Sequence, residues 1–174
     1  MSKKQQFKDP LGQHIRLYAV VYKSPAWMVL SPSAKALWCD LRVQVGSYSN
    51  GAASTALGVL GHYGWTSRHT VMRAREELIA LGLIQITKQG GICSGGKTPN
   101  LYRFTDLETH EIAKKGIAAH KADHLYKKVV SISQGKQILR ELRIQKKSKV
   151  RNEPFVDAIA TLKYESLSAE FASP

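Results

Sequence analysis

The stretch "GWTSRHTVMRAREELIALGLI", from Gly64 to Ile84, opens with side chains suited to gripping an anion. Thr66, Ser67, His69 and Thr70 bring short donors and acceptors, Arg68 and Arg73 bring guanidinium groups, and Met72 lies among them. A guanidinium fork grips a guanine edge or a phosphate, and hydroxyls at a helix start sit where phosphates bind. No acidic residue interrupts Gly64 to Arg75, so the approaching face is wholly positive. Further on, Lys88, Gln89, Gly90 and Lys97 belong to a glycine-rich loop that can lie close to a phosphate or a minor groove. Lys114, Lys115, Lys127, Lys128, Lys146 and Lys147 add candidate contacts to a phosphate backbone. Taken alone, a capped amphipathic helix is more often packing than recognition, so the rest of the chain has to carry weight.

Other constellations carry less. In "HKADH", His120 and His124 stand at a spacing that holds a metal on a helix, but the Glu of a zinc-protease helix is missing. They read as surface histidines on a basic helix. "GGKT" (Gly95 to Thr98) lacks the first glycine at phosphate-loop spacing and precedes a strand, so it reads as a hairpin tip. No Ser-His-Asp order or paired carboxylate site stands out. The expectation is a protein that is not an enzyme, with no cofactor and no metal. Cys39 and Cys93 form no CxxC pair, and reduced thiols in a cytosol are the simpler reading.

The charge balance points the same way. Twenty-six Lys and Arg against thirteen Asp and Glu leave +13 across 174 residues. Such an excess concentrates polyanions, nucleic acid first and anionic membrane second. The excess peaks in residues 106–152, with twelve bases against five acids, and reverses in 153–174, with one against four. "LYAVVYKSPAWMVL" is cut by Lys23 and Pro25 and falls short of the ~20 residues a membrane span needs. A cytoplasmic protein without a membrane partner is expected.

The elements that position these residues follow from capping and periodicity. Ser31 caps and Pro32 starts a helix whose Ala34, Leu37, Trp38, Leu41 and Val45 form one apolar face. "GSYSNG" ends it, and a shorter helix over 55–63 follows, with Ser54 as its cap. Thr66 or Ser67 caps a third helix running to Leu81, with Val71, Ala74, Leu78 and Leu81 as the buried stripe and Gly82 at its exit. Leu83 to Thr87 and Asn100 to Thr105 read as strands joined by a long, mobile hairpin loop. Beyond Asp106 the spacing predicts helices again: one around Ile112 to Ile117, one around Leu125 to Val130, and a third over "KQILRELRIQKKSKVR".

Three helices followed by a two-stranded hairpin is the order of a winged helix-turn-helix. "GWTSRHTVMRAREELIALGLIQITKQGG" resembles the recognition helix and wing of that superfamily, and the resemblance covers residues 25–106. "SPAW", "LSPSAKALW" and the "SNG" turn are similar to small proteins of bacterial plasmids, phages and other mobile elements. The implied fold is mainly α: a three-helix core plus a two-stranded β-hairpin wing, with a helical basic C-terminal extension. The implied organisation is a basic arm over 1–24, the winged domain over 25–106, the extension over 107–152 and an acidic flexible tail over 153–174. The implied function is sequence-selective binding of double-stranded DNA, in transcriptional regulation or in replication or maintenance of a plasmid or phage. The extension is suited to phosphate contacts or to pairing two copies as a homodimer. The rivals are a protein-interaction module for an acidic partner and an RNA-binding accessory factor.

Overall fold

The computed structural model describes residues 14–46, 48–93, 96–146 and 148. The chain is helix-rich with a small three-stranded antiparallel sheet, the mainly α class expected. It divides at Gly135/Lys136 into two units. The first begins with two single-turn helices, α1 (Ala19–Tyr22) and α2 (Pro25–Met28). Then come α3 (Pro32–Val43), β1 (Ala53–Ser54), α4 (Leu57–Leu60) with a 3-10 turn Gly61–Tyr63, and α5 (Arg68–Ala80). Four strands follow: β2 (Ile84–Lys88), β3 (Gly91–Cys93), β4 (Gly96–Thr98) and β5 (Leu101–Phe104).

The two long helices start where the capping residues put them. Ser31 Oγ accepts from the Ala34 amide at 3.2 Å, with Pro32 at the first helical position. Ser67 Oγ accepts from the Thr70 amide at 3.2 Å, so Ser67 rather than Thr66 is the cap of α5. The exit of α5 is a Schellman turn: the Leu83 amide donates to Leu78 O and the Gly82 amide to Ile79 O. Gly82 has φ +71°, and a Cβ there would lie 2.8 Å from the Leu125 carbonyl carbon. Both the turn and the close packing therefore require glycine.

Ala34, Leu37, Trp38 and Leu41 of α3 are buried, as are Val71, Ala74, Leu78 and Leu81 at α5. A carboxylate reinforces the junction of the two helices, since the Ser31 amide donates to Glu77 Oε2 at 3.0 Å. Negative charge at a helix N-terminus is favourable there. Trp38 meets both Trp27 and Phe104 edge-on, and the Arg42 guanidinium stacks on the Trp38 and Phe104 rings at 4.9 and 4.6 Å. Arg42 forks onto both oxygens of Asp106, at 3.0 and 2.7 Å, and its Nε donates to Arg16 O. This buried pair fastens α3 to the chain leaving the sheet.

The sheet order is β1-β5-β2. Ala53 pairs with Tyr102, and Ile84, Gln85 and Ile86 pair with Phe104, Arg103 and Tyr102, with a register shift before Lys88. Ser54, expected to cap the second helix, instead lies in β1. The Gln44 side chain exchanges two hydrogen bonds with the Ser54 backbone, which satisfies backbone groups of this short strand. Asn50 fixes the turn before it: its amide oxygen accepts from the Phe104 amide, and its nitrogen reaches the Phe104, Leu107 and Glu108 carbonyls.

Two further expectations are corrected. The loop between the sheet strands is itself a two-stranded ladder, β3 with β4, pairing Gly91 with Thr98, Ile92 with Lys97 and Cys93 with Gly96. The segment 107–131 forms no α-helix. It holds 3-10 turns at Ala113–Lys115 and Leu125–Lys128, and isolated bridges join Thr109 to His120 and Ile112 to Ile117. Ile112 and Ile117 thus face each other across a bridge instead of along a helix. Burial of Ile117, Tyr126 and Val129 in the body of the domain outweighs local helix preference. His120 and His124 are consequently not one helical turn apart, and His124 takes a left-handed φ of 47°.

A helix over residues 132–146, α6, agrees with the third run expected there. From Lys136 onward it belongs to the second unit. No helix among the described residues is long and apolar enough to cross a membrane.

Candidate nucleic-acid interface

The N-terminal half of α5 is the most exposed part of the helix. Thr66 through Thr70 and Arg73 are exposed, while Met72 is half-buried. The approach to α5 is held by Trp65, whose indole Nε1 donates to Asp40 Oδ2 at 2.6 Å. That bond ties the helix start to α3, so its side chains are presented from a rigid base. Ser67 Oγ accepts from its own helix, which leaves its proton free to donate outward.

Facing this half-helix is the β3–β4 hairpin, and between them runs a groove of about 610 Å³. Arg68, Met72 and Arg75 border it on the α5 side, and Gly90, Ile92 and Thr98 on the hairpin side. No acidic side chain lines it. The helical repeat explains the division, since 68, 72 and 75 lie one and two turns apart on a single face. His69 and Arg73 therefore stand on a neighbouring, open face. The residues expected to act as one cluster are split: Arg68 and Met72 border the groove, while His69 and Arg73 lie outside its lining.

Arg75 was not among the expected residues, although its i+7 spacing from Arg68 is visible in the sequence. Its place is decided by which side of α5 the hairpin flanks, and that depends on tertiary packing. Arg75 approaches Glu76 at 3.8 Å, a long and partly exposed ion pair. Ile92 was missed as well, because a lone apolar residue in a glycine-rich loop gives no signal of its own.

The hairpin residues take different roles. Gln89 is exposed. A Cβ on Gly90 would lie 2.2 Å from Thr98 O, and the Gly90 amide donates to Asn100 Oδ1 at 2.6 Å. Close approach of the returning strand thus demands glycine at 90 whatever binds outside. Lys88 Nζ donates to the Lys115 carbonyl at 2.9 Å, which brings together two residues expected to contact a backbone separately. The backbone of Lys97 lies in β4. Lys114, Lys115, Lys127 and Lys128 are exposed around the two 3-10 turns. Lys146 lies in α6 within the second unit, and Lys147 lies outside the described residues.

Arg103 is buried and its Nη2 donates to Gln85 and, at 2.6 Å, to Asp123. This pair anchors the 107–131 segment beside β5. Burial pushes the Cys39 thiol above its ordinary range and neighbouring Asp40 adds to the effect, so the thiol stays protonated and poorly nucleophilic. Among the described residues, no cluster of three His, Cys, Asp or Glu side chains is arranged to hold a metal. Comparison with models of protein families, with curated proteins and with solved structures finds no match.

Proposed function

We propose that this chain binds double-stranded DNA as a winged helix-turn-helix protein. In this reading α3, α4 and α5 are the three-helix core, β1-β5-β2 is its sheet, and the β3–β4 hairpin is the tip of the wing. The observation that carries the reading is the acid-free groove between the exposed N-terminal half of α5 and the hairpin, with Arg68 and Arg75 on one wall. Helix α5 reads base edges in the major groove through His69 and Arg73 on its open face. Arg68 and Arg75 hold the phosphate backbone that runs along the groove. The net charge of +13 supplies long-range attraction. No covalent chemistry is assigned, and the biological setting is transcriptional regulation or replication and maintenance of a plasmid or phage.

Selection from a random pool of duplex DNA, repeated across a salt series, tests this reading. An enriched motif is expected, and an inverted repeat would add that two copies bind together. The double variant Arg68→Ala/Arg73→Ala should lose selective binding with little change in melting. Unchanged affinity in that variant refutes the assignment of α5. Tighter binding to structured RNA or to an acidic protein than to any duplex would transfer the function to those partners.

A further inference from the structure

We infer that the groove between α5 and the hairpin takes a small carboxylate with an apolar body, and that this ligand displaces the duplex. The ligand site rests on the groove alone. Displacement rests on the DNA-binding reading, because ligand and phosphate backbone claim the same two arginines. At about 610 Å³ the groove has the size of a small-molecule site. Such sites are mostly apolar, with a few polar groups that fix orientation. Here Ala56, Leu57, Val71, Met72, Pro99 and Tyr102 give the apolar lining. A phosphate backbone answers the arginines but leaves that lining against a polar, hydrated chain.

The Tyr102 hydroxyl is the second observation. Tyr102 is 1% exposed, and its hydroxyl has no hydrogen-bond partner among the described residues. Buried tyrosine hydroxyls are normally bonded. Phe104, two residues on, meets Trp38 of α3 edge-on, so Tyr102 shares the helix-facing side of the sheet and lines the groove there. Asn100, the polar lining residue nearest in sequence, commits its Oδ1 to the Gly90 amide. For the fold alone phenylalanine would serve, since it fills the same place without a buried donor. The hydroxyl is shut off from water, so a ligand meets it by shifting a lining side chain. Met72, unbranched and half-buried, is the adaptable one.

The charge of the wall selects an anion. No acidic side chain lines the groove, and Arg68 is exposed and in no ion pair among the described residues. Arg75 has only the 3.8 Å approach to Glu76. Both guanidinium groups are therefore available to fork onto a carboxylate. The Tyr102 hydroxyl donates to one carboxylate oxygen and an arginine holds the other, while the apolar body covers Leu57, Val71 and Pro99.

The test titrates the full chain into pyrenebutyrate, a flat apolar body with one carboxylate, and follows the fluorescence of the pyrene. The wild type should bind with a Kd of about 10 μM, as befits a ligand of that size. Pyrenebutanol, the same body without the charge, should bind at least about tenfold more weakly. Tyr102→Phe should melt at or above the wild type and bind pyrenebutyrate about tenfold more weakly, an effect that a merely structural hydroxyl would not have. Arg68→Ala, at an exposed position, should lose about tenfold as well. Saturating pyrenebutyrate should weaken binding of a labelled duplex by at least about tenfold. Equal binding of acid and alcohol, or full ligand affinity in Tyr102→Phe or in Arg68→Ala, overturns the site. Ligand binding that leaves the duplex in place overturns displacement while DNA binding stands. Ligand binding by a chain that takes up no duplex overturns the DNA-binding reading and supports the carboxylate site.

Discussion

Replacing Arg68 and Arg75 by alanine removes both guanidinium groups from one wall of the groove. On the proposed reading each neutralises one phosphate, and each phosphate contact contributes about 0.9 to the slope of log affinity against log salt. The double variant should therefore bind with a slope shallower by about 1.8. Over a fourfold rise in salt, from about 50 to about 200 mM, that difference amounts to about twelvefold in affinity. The variant is much weaker than the wild type at low salt, and the gap narrows by that factor as salt rises. Anisotropy of a labelled duplex across the series measures both slopes. The fold should hardly notice, because alanine is the better helix former and the 3.8 Å Arg75–Glu76 pair is worth at most about 1 kcal/mol. A slope within about 0.3 of the wild type, in a variant that melts normally, would refute the placement of phosphates in this groove.

Three further outcomes follow from the packing. Arg42→Met should cost about 3–5 kcal/mol in urea unfolding, because it leaves Asp106, 5% exposed, as an unpaired charge, and Arg42→Met/Asp106→Leu should regain most of that loss. Gly82→Ala should destabilise by more than about 1 kcal/mol, since φ is +71° and the added methyl carbon meets the Leu125 carbonyl carbon at 2.8 Å; a neutral result would show that the turn relaxes. Burial first, and Asp106 second, hold the Tyr126 phenol above its ordinary range in the folded state. That stability is fully present below the unfolded phenol's pKa and is lost as pH rises toward the folded value, so unfolding midpoints should fall above about pH 10. Tyr126→Phe should remove part of this alkaline loss. At neutral pH it should change stability by less than about 1 kcal/mol, because the phenol oxygen has no hydrogen-bond partner among the described residues.

What the sequence determined by itself is what neighbouring residues decide between them. The starts of α3 and α5 are local events, in which Ser31 and Ser67 bond amides three residues on and Pro32 pre-sets the first helical turn. The apolar stripes of both helices obey the 3.6-residue repeat, and the exit of α5 follows from the left-handed Gly82. The acid-free run from Gly64 to Arg75 and the charge of +13 are likewise written in the chain. Only the tertiary structure decided the rest, because its determinants lie far apart in sequence. Strand β1 is two residues long and exists through pairing with Leu101 and Tyr102, a partner no local pattern announces. Residues 107–131 carry helix-like spacing, yet Asn50 and Gly82 receive them as turns, since burying Ile117 and Tyr126 against the body outweighs a helix exposed on every side. The division of α5 between Arg68 and Arg75 on one face and His69 and Arg73 on another depended on where the hairpin lies. Helix periodicity fixes angles around an axis, but only the element packed beside it decides which angle becomes the wall of a groove.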